Sequence, residues 1–99
     1  MKKGGCIYIM ANERNTTLYV GVAEDLYSRI VDHKEKKYPK SFTARYNLVK
    51  LVYYESFYSI EEAIVREKQI KAGSRAYKEK LINSINPTWK DLFEEIKKW

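Results

Sequence analysis

A carboxylate set into an apolar helix face is the feature of this sequence that most clearly calls for chemistry. From Ser59 onward, Ile60, Ala63, Ile64 and Ile70 trace one stripe at about 100° per residue, and Glu67 projects into the middle of it. A carboxylate there loses hydration, which is costly unless a cation or hydrogen bonds compensate. The cation is either a neighbouring basic side chain, which makes Glu67 structural, or part of a functional site. An earlier helical pattern repeats the anomaly. Leu26 and Ile30 mark its buried face, and Arg29 and His33 fall on or beside that face, four residues apart. An inward arginine usually pairs with a carboxylate or phosphate, and a histidine carries protons near neutral pH. The plainer alternative is that Arg29 snorkels to the edge while His33 complements the helix dipole.

The elements that must position these residues read as follows. Residues 6–11 and 17–22 are two strands joined by a polar turn at 12–16. Pairing Tyr8 with Tyr19 sets Ile7 opposite Val20 and Ile9 opposite Leu18, so four aliphatics share one face and two tyrosines the other. One face is then a core face and the other can serve a site. Residues 24–35 form a helix with acids in its first turn. Residues 34–46 are basic and irregular, broken by Pro39, and 48–56 are a third strand rich in β-branched and aromatic residues. Ser59 opens a second helix with Glu62 three residues on, a capping-box spacing, and Gly73 closes it. Residues 75–85 form a third helix ended by Asn86-Pro87, and 89–99 a short last one. The order β-β-α-β-α-α-(α) predicts a small α/β (α+β) domain: a three-stranded, mainly antiparallel sheet flanked by helices, with 1–99 as one unit.

Composition narrows the class. A hydrophobic share of 44% fits a globular chain despite 32% charged residues. The net charge of +6 favours a polyanionic partner through counterion release, though it also suits a merely soluble surface. The charge is concentrated. Lys34, Lys36, Lys37, Lys40, Arg45 and Lys50 face one acid, Glu35, with Tyr38, Phe42 and Tyr46 between them. Cations for phosphates and rings for stacking suit a nucleic-acid groove; a solvated loop is the plain alternative. Cys6 is the only cysteine, which excludes an intrachain disulfide and a cysteine zinc cage. The basic start at Met1-Lys2-Lys3 is followed by too short an apolar run for a signal peptide, and no run approaches the ~18 apolar residues that span a bilayer. The expected compartment is a reducing one, the cytoplasm, at the nucleoid if the source is bacterial.

The ordered series resembles the GIY-YIG endonuclease superfamily. Cys6-Ile7-Tyr8 stands at its first tripeptide and Tyr19-Val20-Gly21 at its second, with residues 9–18 between. Leu26, Arg29 and His33 are similar to the family's helix pattern, and Glu67 in Arg66-Glu67-Lys68-Gln69-Ile70-Lys71 falls at its metal-binding glutamate. Asn86-Pro87, Trp89 and Asp91-Leu92 resemble the ending of small single-domain bacterial members, so the likeness runs over about residues 5–92. The resemblance implies cleavage of phosphodiester bonds with one divalent ion, Mg²⁺ or Mn²⁺, on Glu67. It also implies that Tyr8 orients the attacking water and acts as general base, helped by a nearby cation because its ordinary pKa is ~10. Tyr19 would bond within the cluster, Arg29 would steady phosphate charge, and His33 would relay a proton or hold a phosphate. Gly21 lets the strand pass close to a helix or substrate, and Asn86 is a structural position. Cys6, Val20 and Ala23 depart from the family pattern; Ala23 removes a hydroxyl before the helix, a loss of about 1 kcal/mol unless Asp25 compensates.

These readings predict a metal-dependent DNA endonuclease, selective for branched, damaged or single-stranded substrates because no separate targeting domain is expected. DNA is favoured over RNA as partner, no membrane is expected, and the chain is expected to be a monomer or weak dimer. Two alternatives stand beside it: a non-catalytic nucleic-acid-binding module, and a protein-interaction partner whose basic surface docks on an acidic protein.

Overall fold

The computed structural model describes residues 4–98. Strand β1 (Gly5–Ala11) and strand β2 (Leu18–Ala23) pair antiparallel around a turn built by Asn12. Its Oδ1 accepts from the Thr16 and Thr17 amides at 2.9 and 3.0 Å, and its Nδ2 donates to Thr16 Oγ1 at 2.8 Å. The register is two residues away from the expected one. Tyr8 pairs with Gly21, Ile9 with Val20 and Met10 with Tyr19. The six-residue turn closes on Ala11 and Leu18, later than the expected strand start, and this moves the pairing along. A shift of two leaves every side chain on its own face, whereas a shift of one would have inverted them.

Strand β3 (Lys50–Phe57) pairs antiparallel with β1, giving the order β2-β1-β3. β1 is the central strand and is buried along its whole length. A bulge opposite Ile9 and Met10 makes Val52 an extra residue in β3, so Val52 and Tyr53 both reach the same side of the sheet. That side holds Ile7, Ile9, Ala11 and Val20 against Ala63, Ile70 and Ile82. The other side holds Cys6, Tyr8 and Met10 against Leu26, Ile30, Leu92 and Ile96. Both faces are therefore core, and the tyrosine side that can serve a site is itself packed. Helices cover the tyrosine side as well.

Helix α1 (Leu26–Glu35) lies on the tyrosine side and starts later than expected. Asp25 is its cap rather than a first-turn acid, accepting from the Ser28 amide at 3.1 Å and the Ser28 hydroxyl at 2.9 Å. Ala23 thus leaves no uncapped helix. The basic stretch, expected to be irregular, contains a one-turn helix α2 (Phe42–Arg45) capped by Ser41. Helix α3 (Ile60–Ala72) carries the expected Ser59/Glu62 capping box. Gly73 ends it in an extended conformation, and glycine is needed there because a Cβ would lie 2.5 Å from the Tyr77 ring. Helix α4 (Arg75–Ile85) matches its expected span, and Arg75 reaches back to the Asn15 and Thr16 carbonyls. Helix α5 (Phe93–Ile96) is shorter than the expected 89–99; Trp99 and Met1-Lys2-Lys3 lie outside the described residues.

The chain after α4 seals the outer edge of β3. Leu92 N–H donates to the Leu51 carbonyl at 2.7 Å, and Asp91 Oδ1 accepts from Leu51 N–H at 3.2 Å. Asn86, buried, donates to the carbonyl of the bulged Val52 at 3.0 Å and to that of Lys90 at 2.8 Å, and accepts from Lys90 N–H at 3.1 Å. One amide thus satisfies a buried bulge and fixes the turn beyond it. No helix among the described residues is long and apolar enough to cross a membrane.

Candidate active site

Gly21 is the floor of the site. It faces Tyr8 across the hairpin, and a Cβ there would lie 2.4 Å from both Cζ and Oη of Tyr8 and 2.9 Å from Cε2 of Tyr19. The missing side chain is the space the two rings occupy. Their centroids stand 6.3 Å apart, with His33 at 5.6 Å from Tyr8 and 5.9 Å from Tyr19. α1 brings His33 over the pair, and Tyr8 Oη lies 2.8 Å from His33 Nε2. On the far side of the ring, Nδ1 lies 2.9 Å from Oγ1 of the buried Thr43, itself 3.2 Å from Ser41 Oγ.

Protonation follows from burial. Tyr8 is fully buried, and desolvation pushes its hydroxyl well above the ordinary tyrosine value, reinforced by Tyr19. The Arg29 guanidinium opposes that rise without overcoming it, and Glu67 adds to it. Burial and then Arg29 push His33 down from its ordinary value, against Asp32. Near neutral pH the tyrosine is protonated and the imidazole neutral, so Tyr8 O–H donates to Nε2. That places the ring's single N–H on Nδ1, which donates to Thr43 Oγ1. The cation expected to free a phenolate at Tyr8 is present, but burial outweighs it.

Arg29 is exposed as a residue, at the edge of the buried face, and its guanidinium stays close enough to act on both Tyr8 and His33. Its long stem lets the guanidinium sit at the boundary. It also lines a shallow groove of about 440 Å³ with Val22, Asp25, Ser28, Asp32 and Ile60. Glu67 falls between the buried Ala63 and Ile70 on α3, as expected, although Ile64 is 37% exposed and leaves the stripe. Its side chain is 12% exposed and ion-paired to Lys71 at 2.7 Å. The hydrogen bond to Glu67 raises the Lys71 ammonium above its ordinary value, and that ammonium also lies 6.0 Å from the Tyr19 ring centroid. The structure thus brings the rings of Tyr8, Tyr19 and His33 together, with Arg29 and Glu67 close enough to act on Tyr8.

Two further members escaped sequence reasoning. Lys71 is signalled by its i,i+4 spacing from Glu67. Thr43 has no such signal, because it lies in a segment whose charges and rings dominate the reading. No group of three or more His, Cys, Asp or Glu side chains that could hold a metal occurs among the described residues. A single desolvated carboxylate still fits a magnesium-like ion, which keeps several waters and takes phosphate oxygens rather than requiring a protein cage.

The basic segment is less available than its composition suggests. Lys34 donates to the Val49 carbonyl at 2.9 Å, is ion-paired to Asp91, and lies over the Phe93 ring, so that cation is committed to the fold. Lys36 caps α1 in a left-handed conformation and donates to Asn47 Oδ1. Lys37 stands 3.9 Å from Asp32, while Lys40 and Arg45 are exposed. The rings are better placed. Tyr19, Phe42 and Tyr46 form a ladder with centroid spacings of 6.2 and 4.7 Å, and its last two members are about half exposed.

Comparison with known proteins gives a consistent answer. The family model described as the GIY-YIG catalytic domain matches residues 4–83. The chain is 40% identical over 70 residues to a UPF0213 protein of Staphylococcus saprophyticus, covering 71% of this chain and 84% of that one. It is 39% identical over 71 residues to a UPF0213 protein of Syntrophus aciditrophicus, with coverages of 72% and 80%. A UPF0213 protein of Staphylococcus haemolyticus is 40% identical over 76 residues, with coverages of 77% and 90%. No solved structure matches.

Proposed function

Because the chain belongs to the GIY-YIG catalytic domain family, a family of nucleases, we propose that it is a metal-dependent endonuclease hydrolysing phosphodiester bonds in DNA. The carrying observation is convergence: a proton-bearing hydroxyl (Tyr8), seated over Gly21, bonds a neutral imidazole (His33), with a guanidinium (Arg29) and a desolvated carboxylate (Glu67) close enough to act on that hydroxyl. Glu67 would hold one Mg²⁺ or Mn²⁺. When bound, such an ion neutralises phosphate charge and stabilises the leaving oxygen.

The rest falls to the chain's own groups. With its phenol protonated, Tyr8 serves as a relay: the attacking water passes a proton to Tyr8 Oη as Tyr8 passes its own to His33 Nε2. The imidazolium so formed is steadied by Thr43 at Nδ1. Arg29, at the surface edge of the cluster, meets the charge gathering on the phosphate. Tyr19 walls the site and leads to Phe42 and Tyr46, whose exposed rings suit unpaired bases. That ladder favours structured or single-stranded DNA over plain duplex, as in repair or recombination intermediates.

The test is incubation of pure protein with supercoiled plasmid, branched DNA, single-stranded DNA and RNA, with Mg²⁺ or Mn²⁺, beside Glu67→Gln. Cleavage present in the wild type and lost in the variant supports the reading; equal cleavage by both refutes it. One observation favours a second reading: Tyr8 is fully buried and Glu67 already carries Lys71, an arrangement that also serves a purely structural role. On that reading the chain binds nucleic acid through the ring ladder and cleaves nothing. Salt-sensitive binding without cleavage in any of the four substrates would establish it.

A further inference from the structure

Lys71 is the cation paired with Glu67, the carboxylate proposed to hold the metal. Its Nζ lies 2.7 Å from Glu67 Oε2, one helical turn on and in the favourable Glu-before-Lys order. The two ends of the pair differ in exposure: the Glu67 side chain is 12% exposed and that of Lys71 51%. Of the other cations beside Glu67 on α3, Arg66 is bound through Nε and Nη2 to Glu55 at 2.9 and 3.0 Å, and Lys68 is exposed.

An ammonium and a divalent ion compete for that carboxylate. It offers about four lone-pair sites, but three positive charges within about 4 Å repel strongly in a partly desolvated site. Metal arrival therefore favours moving Lys71 away. Its side chain is a point charge on a flexible four-carbon stem, half in solvent, so it can move without repacking the core. Besides Glu67, its ammonium lies 6.0 Å from the centroid of the Tyr19 ring, a member of the Tyr8–Tyr19 pair.

We propose that Lys71 is an exchanging counter-ion: it holds Glu67 closed in the ion-free chain, gives the carboxylate up to the metal, and moves to a phosphate of the bound nucleic acid. This rests on Glu67 being the metal ligand. It makes metal and nucleic acid mutually reinforcing ligands, because each stabilises the position of Lys71 that the other needs.

The test uses the whole chain, with Mn²⁺ as probe, followed by electron paramagnetic resonance and calorimetry, and with far-UV circular dichroism to confirm that each variant is folded. Lys71→Met keeps the stem and removes the charge. It should bind Mn²⁺ about two- to fivefold more tightly than the wild type, the range expected on losing a competing exposed ion pair. Lys71→Arg should stay near wild type, and Glu67→Gln should lose the site. A labelled single-stranded oligonucleotide gives the second readout, with Ca²⁺ as the divalent ion. The salt slope of its affinity should fall by about one in Lys71→Met when the ion is present, and should not change when it is absent. Mn²⁺ affinity unchanged or weakened in Lys71→Met, while Glu67→Gln still abolishes binding, would overturn the exchange. Wild-type Mn²⁺ affinity in Glu67→Gln would instead overturn the site on which it rests.

Discussion

Replacing Gly21 with alanine adds one methyl group, and the expected sign of its effect is contrary to the usual one. In a strand interior, glycine normally costs roughly 0.5–1 kcal/mol relative to alanine, so the change should stabilise if room exists. There is no room. The new Cβ would lie 2.4 Å from Tyr8 Cζ and Oη and 2.9 Å from Tyr19 Cε2, so the Tyr8 ring must move by about an ångström to reach ordinary contact distance. Tyr8 is fully buried among Met10, Leu26 and Ile30, and overpacking of such a core costs about 1–3 kcal/mol. The same movement displaces Oη from its 2.8 Å contact with His33, and loss of that bond by a buried hydroxyl adds about 1–3 kcal/mol. Against the small backbone gain, Gly21→Ala should lose about 2–4 kcal/mol, a large part of the 5–15 kcal/mol typical of a domain. Urea unfolding measures the loss. Nitrogen NMR of the single histidine measures its cause, because the Nδ1–H tautomer should give way to a mixture once Tyr8 no longer donates. Stability within about 0.5 kcal/mol of wild type, with the His33 tautomer unchanged, would refute the account of Gly21 as a seat.

Three further outcomes are expected. His33 has a folded pKa below its ordinary value, so the unfolded chain takes up that proton first. Its contribution to stability should be full above about pH 6.5 and decline as pH falls from there toward the folded pKa; denaturation midpoints across that window should show the decline, and His33→Gln should flatten it. Asn86→Ala removes the amide from the Val52 carbonyl and from both Lys90 contacts, and should destabilise by about 2–4 kcal/mol in thermal or urea unfolding without altering Mn²⁺ binding. Phe42→Ala with Tyr46→Ala should weaken binding of a single-stranded oligonucleotide by about 1–3 kcal/mol per lost stacked base, measured by fluorescence anisotropy, while duplex binding changes little.

The sequence carries what is periodic. The helix at 75–85, the Ser59/Glu62 box and Glu67 between Ala63 and Ile70 were all readable, because helical spacing and capping are local. The side that Tyr8 and Tyr19 share was also readable, since alternation survives a two-residue register error. What was not local was not legible. The turn length that set the register depends on Asn12 folding back on Thr16 and Thr17. The covering of the tyrosine face depends on Leu92 and Ile96 returning from the far end of the chain. The protonation of Tyr8 depends on its burial, whereas the family resemblance implied a general base helped by a nearby cation.

Charge shows the same distinction, and it alters where nucleic acid should lie. A net charge of +6 and the basic run from Lys34 point to that run as the phosphate track. Folding removes Lys34 to Asp91, sets Lys36 on Asn47 as a helix cap and leaves Lys37 near Asp32. The exposed cations that remain, Lys40 and Arg45, flank the Phe42–Tyr46 rings, while Arg29 and Lys71 act at the tyrosine pair. Those positions describe a short path from the ring ladder over Tyr19 to the Tyr8–His33 bond, with few phosphate contacts along it. Binding on such a path should show a shallow salt dependence, on the order of two to four counterions instead of the six to ten of an extended duplex track. The balance of affinity then falls on stacking, which an unpaired base can offer and a base held in a duplex cannot.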